Sequence, residues 1–449
     1  MSADTVPVTL TGWGRTAPSA ARVIRPRTYE EAVAAVRCCG VRGGIARGLG
    51  RAYGDAAQNA GGVVLDMTGL DRIHAIDADG GTVLCDAGVS LHRLMEVLLP
   101  LGWFVPVVPG TGHVTVGGAI GADVHGRNHH VAGSFARHVL ALELLTADGE
   151  IRAVGRGTPL FDATTGGMGL TGVILTATVR LLPVETSLMS VDTVRTTGLD
   201  DLLARLAATD HLYGYSAAWI DLRARGPVTG RAVLTRGDHA PLDALPARAR
   251  RAPLEFRTRR LSAAPFAEGL LGGPAPALCN ELRYRTAPRV RTGELRGISA
   301  FLRPLDGAPH WSRAPGRGGL VRYQCVVGDG QEDTLHRIVR RIGERRSPAS
   351  GAVLKRFGEA GEGWLSFPVP GWSLALALPA RLPGLGAFLD GLDEEVAAAG
   401  GRVCLAKDAR LRPDLLAAMY PRLDDFRALR AALDPRAVFT SDLSRRLAL

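Results

Sequence analysis

At 449 residues, the chain exceeds the length of about 250–300 residues at which a single hydrophobic core stops growing, so two domains are expected. Its hydrophobic content of 46% is that of an ordinary globular protein, and no stretch approaches the roughly 20 apolar residues that a membrane-spanning helix needs. The formal charge of +10 does not predict nucleic-acid binding, because the arginines are spread along the chain and are not interleaved with stacking aromatic residues.

The N-terminus and the cysteines carry no targeting or metal-binding pattern. Residues 1–11 lack the basic segment and apolar run of a secretory signal peptide, so a cytoplasmic protein is expected. The six cysteines form no C-x-x-C pair and have no histidine at zinc-ligand spacing, which argues against a metal site and a disulfide framework. The positive charge is compatible with peripheral contact to an anionic membrane or with a phosphorylated substrate.

Helix and strand patterns alternate over the first 180 residues. Thr28 and Glu31 form a capping-box pattern before an apolar helix over residues 32–38, and Ser90 is placed to cap a helix over residues 91–99. Apolar and β-branched runs between turn residues predict four strands, at residues 61–67, 81–88, 139–146 and 172–182. The alternation predicts an α+β domain.

The second half has a different texture. From about Ser187 the segments become longer and rich in arginine, with strand-like runs at residues 322–327 and 373–377, which predicts a second domain. The arginine-rich stretch 247–253 ends in a proline and predicts an exposed loop or helix end. After residues 400–401, both glycines, two short helical patterns follow, and this tail is expected to return to the first domain.

Three glycine-rich segments are the candidates for a ligand site. The first, R-G-L-G-R-A-Y-G-D at residues 47–55, is neither a Rossmann fingerprint nor a P-loop, and alone it is as compatible with a tight turn as with a pyrophosphate cradle. The second, P-G-T-G-H-V-T-V-G-G-A-I-G-A-D-V-H-G at residues 109–126, contains six glycines. That density argues against a regular amphipathic helix and favours backbone packed against a flat ligand. The third, residues 166–172, repeats the pattern.

Lysine usage points to two positions. Of the 54 basic residues only Lys355 and Lys407 are lysines. Arginine is permanently charged, whereas lysine is compact and its pKa can be tuned, so a site that exchanges protons resists replacement by arginine. Chance retention is the alternative explanation.

The motifs and their order resemble those of a known group of flavoproteins. The three glycine-rich segments followed by a terminal L-D-P-R-A-V-F are similar to the FAD-binding half of the vanillyl-alcohol-oxidase superfamily. Further motifs resemble the flavoprotein oxidase subunits of decaprenylphosphoryl-ribose 2′-epimerases: H-G-R-N-H-H at 125–130, S-F-P-V-P-G-W at 366–372, A-K-D at 406–408 and A-M-Y-P-R at 418–422. These matches span nearly the whole chain.

The resemblance implies a two-domain α+β fold of the PCMH type. Residues 1–187 would form the FAD-binding domain, residues 188–401 an antiparallel-sheet substrate domain, and residues 402–449 a segment returning to the first domain. Superfamily members that tether FAD often place the linking histidine two residues before the tyrosine of the first loop. Arg51 stands there in this chain, which favours non-covalent FAD.

The resemblance also assigns individual site residues. The catalytic candidates are Lys407 beside the flavin, His125 as the group that orients the substrate, and Tyr53 against the ring; for His125 the alternative is a loop histidine bonded to backbone. Cofactor contacts are implied for Arg47, Gly48, Leu49, Gly50, Arg51, Ala52, Tyr53, Gly54, Gly110, Thr111, Gly112, Thr115, Gly117, Gly118, Gly121, Ala122, His125, Gly126, Gly167, Gly172, Val173 and Lys407. Substrate contacts are implied for Lys355, Gln324, Arg322, Trp219, Ala375 and Cys404, and ordinary sheet packing is the alternative for Trp219, Gln324 and Arg322.

Three substrate-facing positions depart from the mycobacterial type of the family. Arg322 replaces a glutamine, Ala375 a cysteine and Cys404 a tyrosine. An arginine can bind a phosphate or carboxylate through two hydrogen bonds, and a cysteine in place of tyrosine removes bulk and a hydroxyl.

The resemblance implies oxidation of the 2′-hydroxyl of a polyprenylphosphoryl-ribose to a ketone, with a separate NAD(P)H-dependent reductase completing epimerisation to arabinose. The three departures favour a second hypothesis, oxidation of another sugar hydroxyl, for example in a secondary-metabolite glycoside. A flavin-free binding or nucleic-acid-associated protein that exploits the positive charge is a third, and the visible absorbance of the purified protein distinguishes it from the other two.

Overall fold

The N-terminal 180 residues form two main sheets. The computed structural model describes residues 6–256, 275–303, 306, 318–345 and 350–449. A four-stranded sheet has the order Val8–Leu10, Ser19–Ile24, Val63–Asp66, Gly44–Arg47, and its last three strands are parallel. A five-stranded antiparallel sheet has the order Ile73–Asp77, Thr82–Asp86, Val173–Arg180, Val139–Leu145, Ile151–Gly155. A small two-stranded sheet pairs Trp103–Phe104 with Leu182–Pro183.

An eight-stranded antiparallel sheet dominates the second half. Its order is Val290–Gly297, Leu188–Thr196, Ala232–His239, Tyr215–Ile220, Ser350–Phe357, Gly371–Pro379, Leu320–Gly328, Arg402–Val403. Side chains alternate between the two faces of a strand. On one face Ala218, Leu354 and Leu374 join the core that the helices Leu199–Thr209 and Glu332–Glu344 cover. The opposite face is therefore available to a binding site.

Helices connect and cover these sheets. In the described residues the α-helices are Tyr29–Arg37, Leu91–Leu98, Val116–Gly121, His129–Ala132, Pro159–Thr164, Leu199–Thr209, Ala275–Thr286, Ile298–Leu302, Glu332–Glu344, Leu385–Ala398, Pro413–Met419, Leu423–Leu433 and Asp442–Leu447. The predicted α+β class is confirmed. None of the helices in the described ranges is long and apolar enough to cross a membrane.

The predicted caps and strands of the first half are present. Thr28 Oγ1 accepts from the backbone N–H of Glu31 at 3.2 Å, but the Glu31 carboxylate accepts from the N–H of Arg27 instead of completing the capping box on Thr28. Ser90 caps its helix by accepting from the N–H of Arg93 at 3.1 Å. The four predicted strands occur within a few residues of their expected bounds, and residues 247–253 lie in an exposed or half-exposed turn.

The expectation of no helix in the second glycine-rich segment is wrong for its middle. Val116–Gly121 is a six-residue helix whose N-cap, Thr115, accepts from the N–H of Gly118 at 3.2 Å. Helix propensity is low for glycine, yet tertiary packing outweighs it here because Val116, Ala119 and Ile120 are fully buried. The glycines on the remaining faces allow neighbouring backbone to come close.

The tail contacts the N-terminal sheets, and it contains a third helix that the sequence patterns did not predict. Phe439 bridges to Gly44, and the Asp442 carboxylate accepts from Ser19 Oγ at 2.8 Å and from the N–H of Ala60 at 2.9 Å. Arg402–Val403, at the start of the tail, is an edge strand of the eight-stranded sheet. The exact domain boundaries at residues 187 and 401 stay predictions.

Candidate active site

A cavity of about 460 Å³ lies where the three glycine-rich segments face the eight-stranded sheet. This size is typical of a small-molecule or cofactor site. Most predicted site residues line it: Arg47, Gly48, Leu49, Gly50, Arg51, Ala52, Tyr53, Gly110, Thr111, Thr115, Gly117, Gly118, Gly121, Ala122, His125, Gly126, Gly172, Arg322, Gln324, Lys355, Ala375, Cys404 and Lys407.

The first glycine-rich loop owes its shape to two glycines. A Cβ added to Gly48 would lie 2.1 Å from Thr115 Oγ1, so only glycine allows this loop to pack against the second segment. Gly50 has φ +63°, a left-handed conformation that glycine adopts without strain. The Arg47 guanidinium donates to the carbonyls of Thr11 and Ala57 at 2.8 and 2.9 Å and holds the start of the loop.

The second and third glycine-rich segments leave an open slot. A Cβ added to Gly110 would meet no atom within 4 Å, and one added to Gly121 would meet only the backbone N of Gly169, at 3.8 Å. Because glycines on both sides of the slot present backbone and no side chains, the slot suits a flat, extended ligand that hydrogen-bonds to backbone. The residues present therefore fit an FAD: the first loop would hold its pyrophosphate, and the other two segments would line its rings.

Lys407, Gln324 and His125 form one hydrogen-bonded chain. Lys407 Nζ donates to Gln324 Oε1, which fixes the orientation of the amide. The Gln324 NH₂ group then donates to His125 Nε2 at 3.0 Å and to Ser373 Oγ at 2.8 Å. His125 Nε2 must accept, so the ring proton of the neutral imidazole is assigned to Nδ1. His125 is thus bonded to a side chain of the facing sheet and not to backbone.

Burial and like charges lower the pKa values of this chain. The pKa of Lys407 is lowered to about 8, mainly by desolvation and also by the Arg322 charge, while Cys404 opposes the shift. Desolvation, with Lys355 and Lys407, lowers the pKa of His125 well below its ordinary value, so the imidazole is neutral at pH 7. Desolvation and the charges of Lys407, Arg127 and Arg322 also lower the pKa of Lys355. A lysine with a pKa near 8 is suited to exchange a proton near neutral pH.

The turn that carries Lys407 is tied to the first glycine-rich loop. The N–H of Tyr53 donates to the carbonyl of Ala406 at 2.9 Å. Arg446, from the C-terminal helix, binds both carboxylate oxygens of Asp55 at 2.8 and 3.0 Å and lies 2.9 Å from Asp408 Oδ2. A single guanidinium thus bridges Asp55, the last residue of the loop, and Asp408, the residue after Lys407.

Of the predicted substrate residues, Trp219 alone is absent from the cavity wall. It is buried in the strand Tyr215–Ile220 beneath the guanidinium of Arg283, which lies 4.7 Å from the ring centroid. Lys355 Nζ donates to the carbonyl of Gly126 at 3.0 Å. Desolvation raises the pKa of the Cys404 thiol, which keeps it protonated at neutral pH. Ala375 lies opposite Gln324 on the neighbouring strand.

Four predicted cofactor residues lie beside the cavity, not on its wall. A Cβ on Gly54 would meet the Asp408 carbonyl oxygen at 1.7 Å. The N–H of Gly112 donates to the Asp306 carboxylate at 2.9 Å, Gly167 packs on the carbonyl of Ala163, and Val173 begins a buried strand. Because these four residues are closely packed, they position the neighbouring residues that line the cavity. Their own positions do not support direct contacts with the cofactor.

Several lining residues were not identified from the sequence, among them Trp13, His113, Arg127 and Asp306. The Arg51 guanidinium lies over the Trp13 ring, 3.8 Å from its centroid, and Arg51 Nε donates to the His113 carbonyl at 3.0 Å. His113 lies in the second glycine-rich segment and Arg127 lies in the H-G-R-N-H-H motif, so their presence in these motifs could have identified them as lining residues. No local pattern marks Trp13 or Asp306.

Comparison with known proteins agrees with this geometry. Residues 20–155 match the family described as FAD binding domain, and residues 381–447 match D-arabinono-1,4-lactone oxidase. The chain is 44% identical to decaprenylphosphoryl-β-D-ribose oxidase of Mycolicibacterium smegmatis over the full length of both proteins. It is 58% identical to an uncharacterized protein in the mprA 5′ region of Streptomyces coelicolor, over 80% of this chain and all of the relative. Identity to alditol oxidase of a Streptomyces species is 29%, over 39% of this chain and 42% of the relative.

The fold, the glycine-lined cavity and these matches define an FAD-dependent oxidoreductase with a PCMH-type FAD-binding domain. Because the similarity extends over the whole chain, including the sheet that faces the flavin site, the family can be stated more closely. The chain belongs to the decaprenylphosphoryl-β-D-ribose oxidase family.

Proposed function

We propose that the enzyme oxidises the 2′-hydroxyl of a polyprenylphosphoryl-ribose to the 2′-ketone, the first half of an epimerisation to arabinose. The observation that carries the proposal is the chain Lys407–Gln324–His125 on the wall of the cavity. It combines a lysine of lowered pKa with a neutral histidine, in a relative of an enzyme named as a ribose oxidase.

In the proposed reaction the C2′–H and O–H bonds break and the C2′=O double bond forms. FAD, when bound, supplies the acceptor for the hydride that leaves carbon 2′. The neutral Lys407 amine receives the hydroxyl proton and becomes a cation where negative charge develops. His125, kept neutral by burial and by nearby lysines, orients the hydroxyl through its Nδ1 proton. Gln324 fixes the distance between these two groups.

Other residues are proposed to bind and exclude water. Tyr53 would pack against the flavin, and desolvation raises its pKa, so the phenol stays protonated. Lys355 and Arg322 would contact the substrate from the sheet. The flavin is proposed to be non-covalent, because Arg51, at the position of the usual tether, is held by His113 and Trp13. A separate NAD(P)H-dependent reductase would then reduce the ketone from the opposite face.

One set of residues favours a second candidate function. Arg322, Ala375 and Cys404 line the cavity at the positions where the sequence departs from the mycobacterial type of the family. Their changed charge and volume suit oxidation of a different sugar hydroxyl, such as that of a secondary-metabolite glycoside. A panel of sugars separates the two functions.

The test is an anaerobic absorbance spectrum of the purified protein before and after addition of farnesylphosphoryl-ribose. We expect a flavin band in the blue region that bleaches on addition of this analogue. A flavin band that persists with farnesylphosphoryl-ribose but bleaches with another sugar would replace the first function by the second. A colourless protein that takes up no added FAD would contradict both.

We also propose peripheral contact with an anionic membrane, which would present a polyprenyl substrate; a cytoplasmic location stays a prediction. Leu278 and Leu282, on one helix, are 71% and 61% exposed, and Val290 is 66% exposed. Arg285 and Arg289 are exposed nearby in sequence. Exposed apolar residues flanked by arginines are typical of surfaces that insert into the headgroup region of anionic lipids.

Sedimentation with vesicles tests this contact. We expect the protein to pellet with phosphatidylglycerol vesicles and to stay in solution with phosphatidylcholine vesicles. The double variant Leu278→Ser/Leu282→Ser should lose most of this binding, because the apolar contribution is removed. The control is Leu212→Ser, since Leu212 is 65% exposed but lies elsewhere. Equal binding by both variants would contradict the assigned surface.

A further inference from the structure

Arg410 is a half-buried arginine three residues after Lys407, and the reaction proposed above gives it no role. Its side chain does not line the cavity. Instead, the guanidinium donates to Asp390 Oδ1 and to Asp393 Oδ2, the latter at 2.6 Å. Both carboxylates belong to the helix Leu385–Ala398, and Asp393 is completely buried. Arg410 therefore attaches the chain just after Lys407 to this helix.

Hydrogen bonds within the turn fix Lys407 relative to Arg410. The N–H of Lys407 donates to the carbonyl of Cys404 at 3.0 Å. Asp408 Oδ1 accepts from the N–H groups of Arg410 and Leu411 at 2.8 and 2.7 Å. Because these bonds close the turn on itself, the place where the Arg410 guanidinium binds determines where the Lys407 side chain begins.

The same helix also packs behind the strand that carries Gln324. Side chains alternate between the faces of a strand, so Gln324 faces the cavity and its neighbour Tyr323 is buried in the core behind the sheet. Desolvation and nearby negative groups, Asp393 among them, raise the pKa of Tyr323 well above its ordinary value, which places Asp393 beside it. One helix therefore supports both ends of the hydrogen bond between Lys407 and Gln324.

The pair of Arg410 and Asp393 is better explained by the position that it imposes than by a gain in stability. Desolvation raises the pKa of Asp393 to about 6, although the charge and the hydrogen bond of Arg410 oppose the rise. A carboxylate that burial opposes in this way adds little net stability even when it is paired. Displacement of the pair would leave a buried charge without its partner, which is strongly unfavourable. The pair therefore favours one arrangement of the turn on the helix.

We propose that Arg410 and Asp393 are positioning residues that hold the Lys407 amine against Gln324 at the wall of the cavity. The inference rests on the proposed function, because it deepens the role of Lys407 as the proton acceptor. Arg446 attaches the other side of the turn to the first glycine-rich loop, so the two arginines together restrict its movement. Neither positioning residue lines the cavity, so each acts through Lys407.

A titration of the Lys407 amine in the flavin-loaded protein tests the proposal without substrate. The chain contains two lysines, so protein grown with lysine labelled with carbon-13 at Cε gives two NMR signals, which Lys355→Met assigns. In Arg410→Gln we expect the turn to loosen and water to reach the amine. The pKa of Lys407 should then rise from about 8 toward its ordinary value, because the desolvation that lowers it is relieved.

Stopped-flow flavin reduction by farnesylphosphoryl-ribose measures the consequence for the proposed reaction. At pH 7 the limiting rate of Arg410→Gln should fall about 10- to 100-fold, since a small misplacement of a catalytic group can cost this much. The half-saturating substrate concentration should stay within about two-fold, and the midpoint of the pH–rate profile should move upward with the Lys407 pKa. Arg410→Lys keeps a cation opposite the two aspartates and should recover most of the rate.

The matched control is Arg412→Gln. Arg412 also bridges two carboxylates, at 2.7 Å to Glu394 of the same helix and at 2.6 Å to Asp414, but it is more exposed and follows the turn. We expect this control to leave the Lys407 pKa and the limiting rate unchanged. Equal effects of Arg410→Gln and Arg412→Gln would show a general loosening of the helix contact and overturn the proposal.

Asp393→Asn decides the question if Arg410→Gln does not fold. Arg410 keeps its bond to Asp390 in this variant, so no buried charge is left without a partner. The Lys407 pKa should rise here too, by less than in Arg410→Gln. A lower melting temperature together with an unchanged Lys407 pKa and limiting rate would show that the pair is merely structural, and the positioning role would be refuted.

The two proposals fail separately. If the Lys407 pKa depends on Arg410 and not on Arg412, but farnesylphosphoryl-ribose leaves the wild-type flavin oxidised, the positioning role stands and the proposed reaction falls. If the wild type oxidises the ribose and the Lys407 pKa is the same in every variant, the reaction stands and the positioning role falls.

Discussion

Lys407→Met is expected to give a yellow, folded protein whose flavin is reduced by substrate at least about 100-fold more slowly than in the wild type. Removal of one preorganised polar contact to a transition state typically costs roughly 2.7–4 kcal/mol. Here the substitution removes both the proton acceptor and the cation that it becomes. The measurement is stopped-flow flavin reduction with farnesylphosphoryl-ribose under anaerobic conditions.

The pH dependence of the flavin reduction rate shows whether the neutral or the charged form of Lys407 is reactive. The neutral amine is the reactive form, so the wild-type rate should rise with pH and level off above the pKa of about 8. The rate in Lys407→Met should be low and flat through this range. Lys355→Met makes the same chemical change at the other lysine of the cavity and should mainly weaken sugar binding. A Lys407→Met protein that reduces its flavin within ten-fold of wild type would refute the role.

Gly54→Ala is expected to lower thermal stability by several degrees and to release FAD. An added Cβ would lie 1.7 Å from the Asp408 carbonyl oxygen, which is backbone and belongs to the turn that carries Lys407. That turn cannot easily move, because Tyr53 and Arg446 hold it. Overpacking of this kind costs typically about 1–3 kcal/mol, and about 1 kcal/mol shifts the melting temperature by roughly 2–4 °C in a domain of this size.

The rise in flavin fluorescence as FAD leaves the heated protein measures both the melting temperature and the retention of FAD in Gly54→Ala. The control is Gly155→Ala, since a Cβ at Gly155 would meet no atom within 4 Å and its strand lies at the edge of the five-stranded sheet. If the two variants melt together and retain equal flavin, the contact between the first loop and the Lys407 turn does not limit stability.

Residues whose roles depend on local chemistry were predictable. Glycine-rich loops, helix caps and the two retained lysines are visible in sequence, because backbone conformation, capping and side-chain pKa chemistry restrict which residue types can occur there. Lys407 could therefore be singled out before its partners were known. The glycine-rich helix Val116–Gly121 was missed for the opposite reason, since its burial outweighs its poor helix propensity.

At Trp219 and Arg127 the sequence patterns did not predict which residue lines the cavity. Trp219 was expected at the substrate, yet it is buried beneath Arg283. Arg127 was not singled out, yet it lines the cavity beside Lys355. Which residue of a strand or loop reaches a cavity depends on strand pairing and on the position along the strand, and neither is encoded within a short window.

The sequence by itself identified the glycine-rich segments that line the cavity, the α+β class and the candidate lysine, because each depends on interactions within a short segment or on one residue's chemistry. Only the tertiary structure brought Lys407 to Gln324, 83 residues away, and Gln324 to His125, 199 residues away. It also joined Asp55 and Asp408 through Arg446. Those contacts depend on the pairing of distant strands and on the return of the C-terminal helix, so the three-dimensional packing decides the geometry of the site.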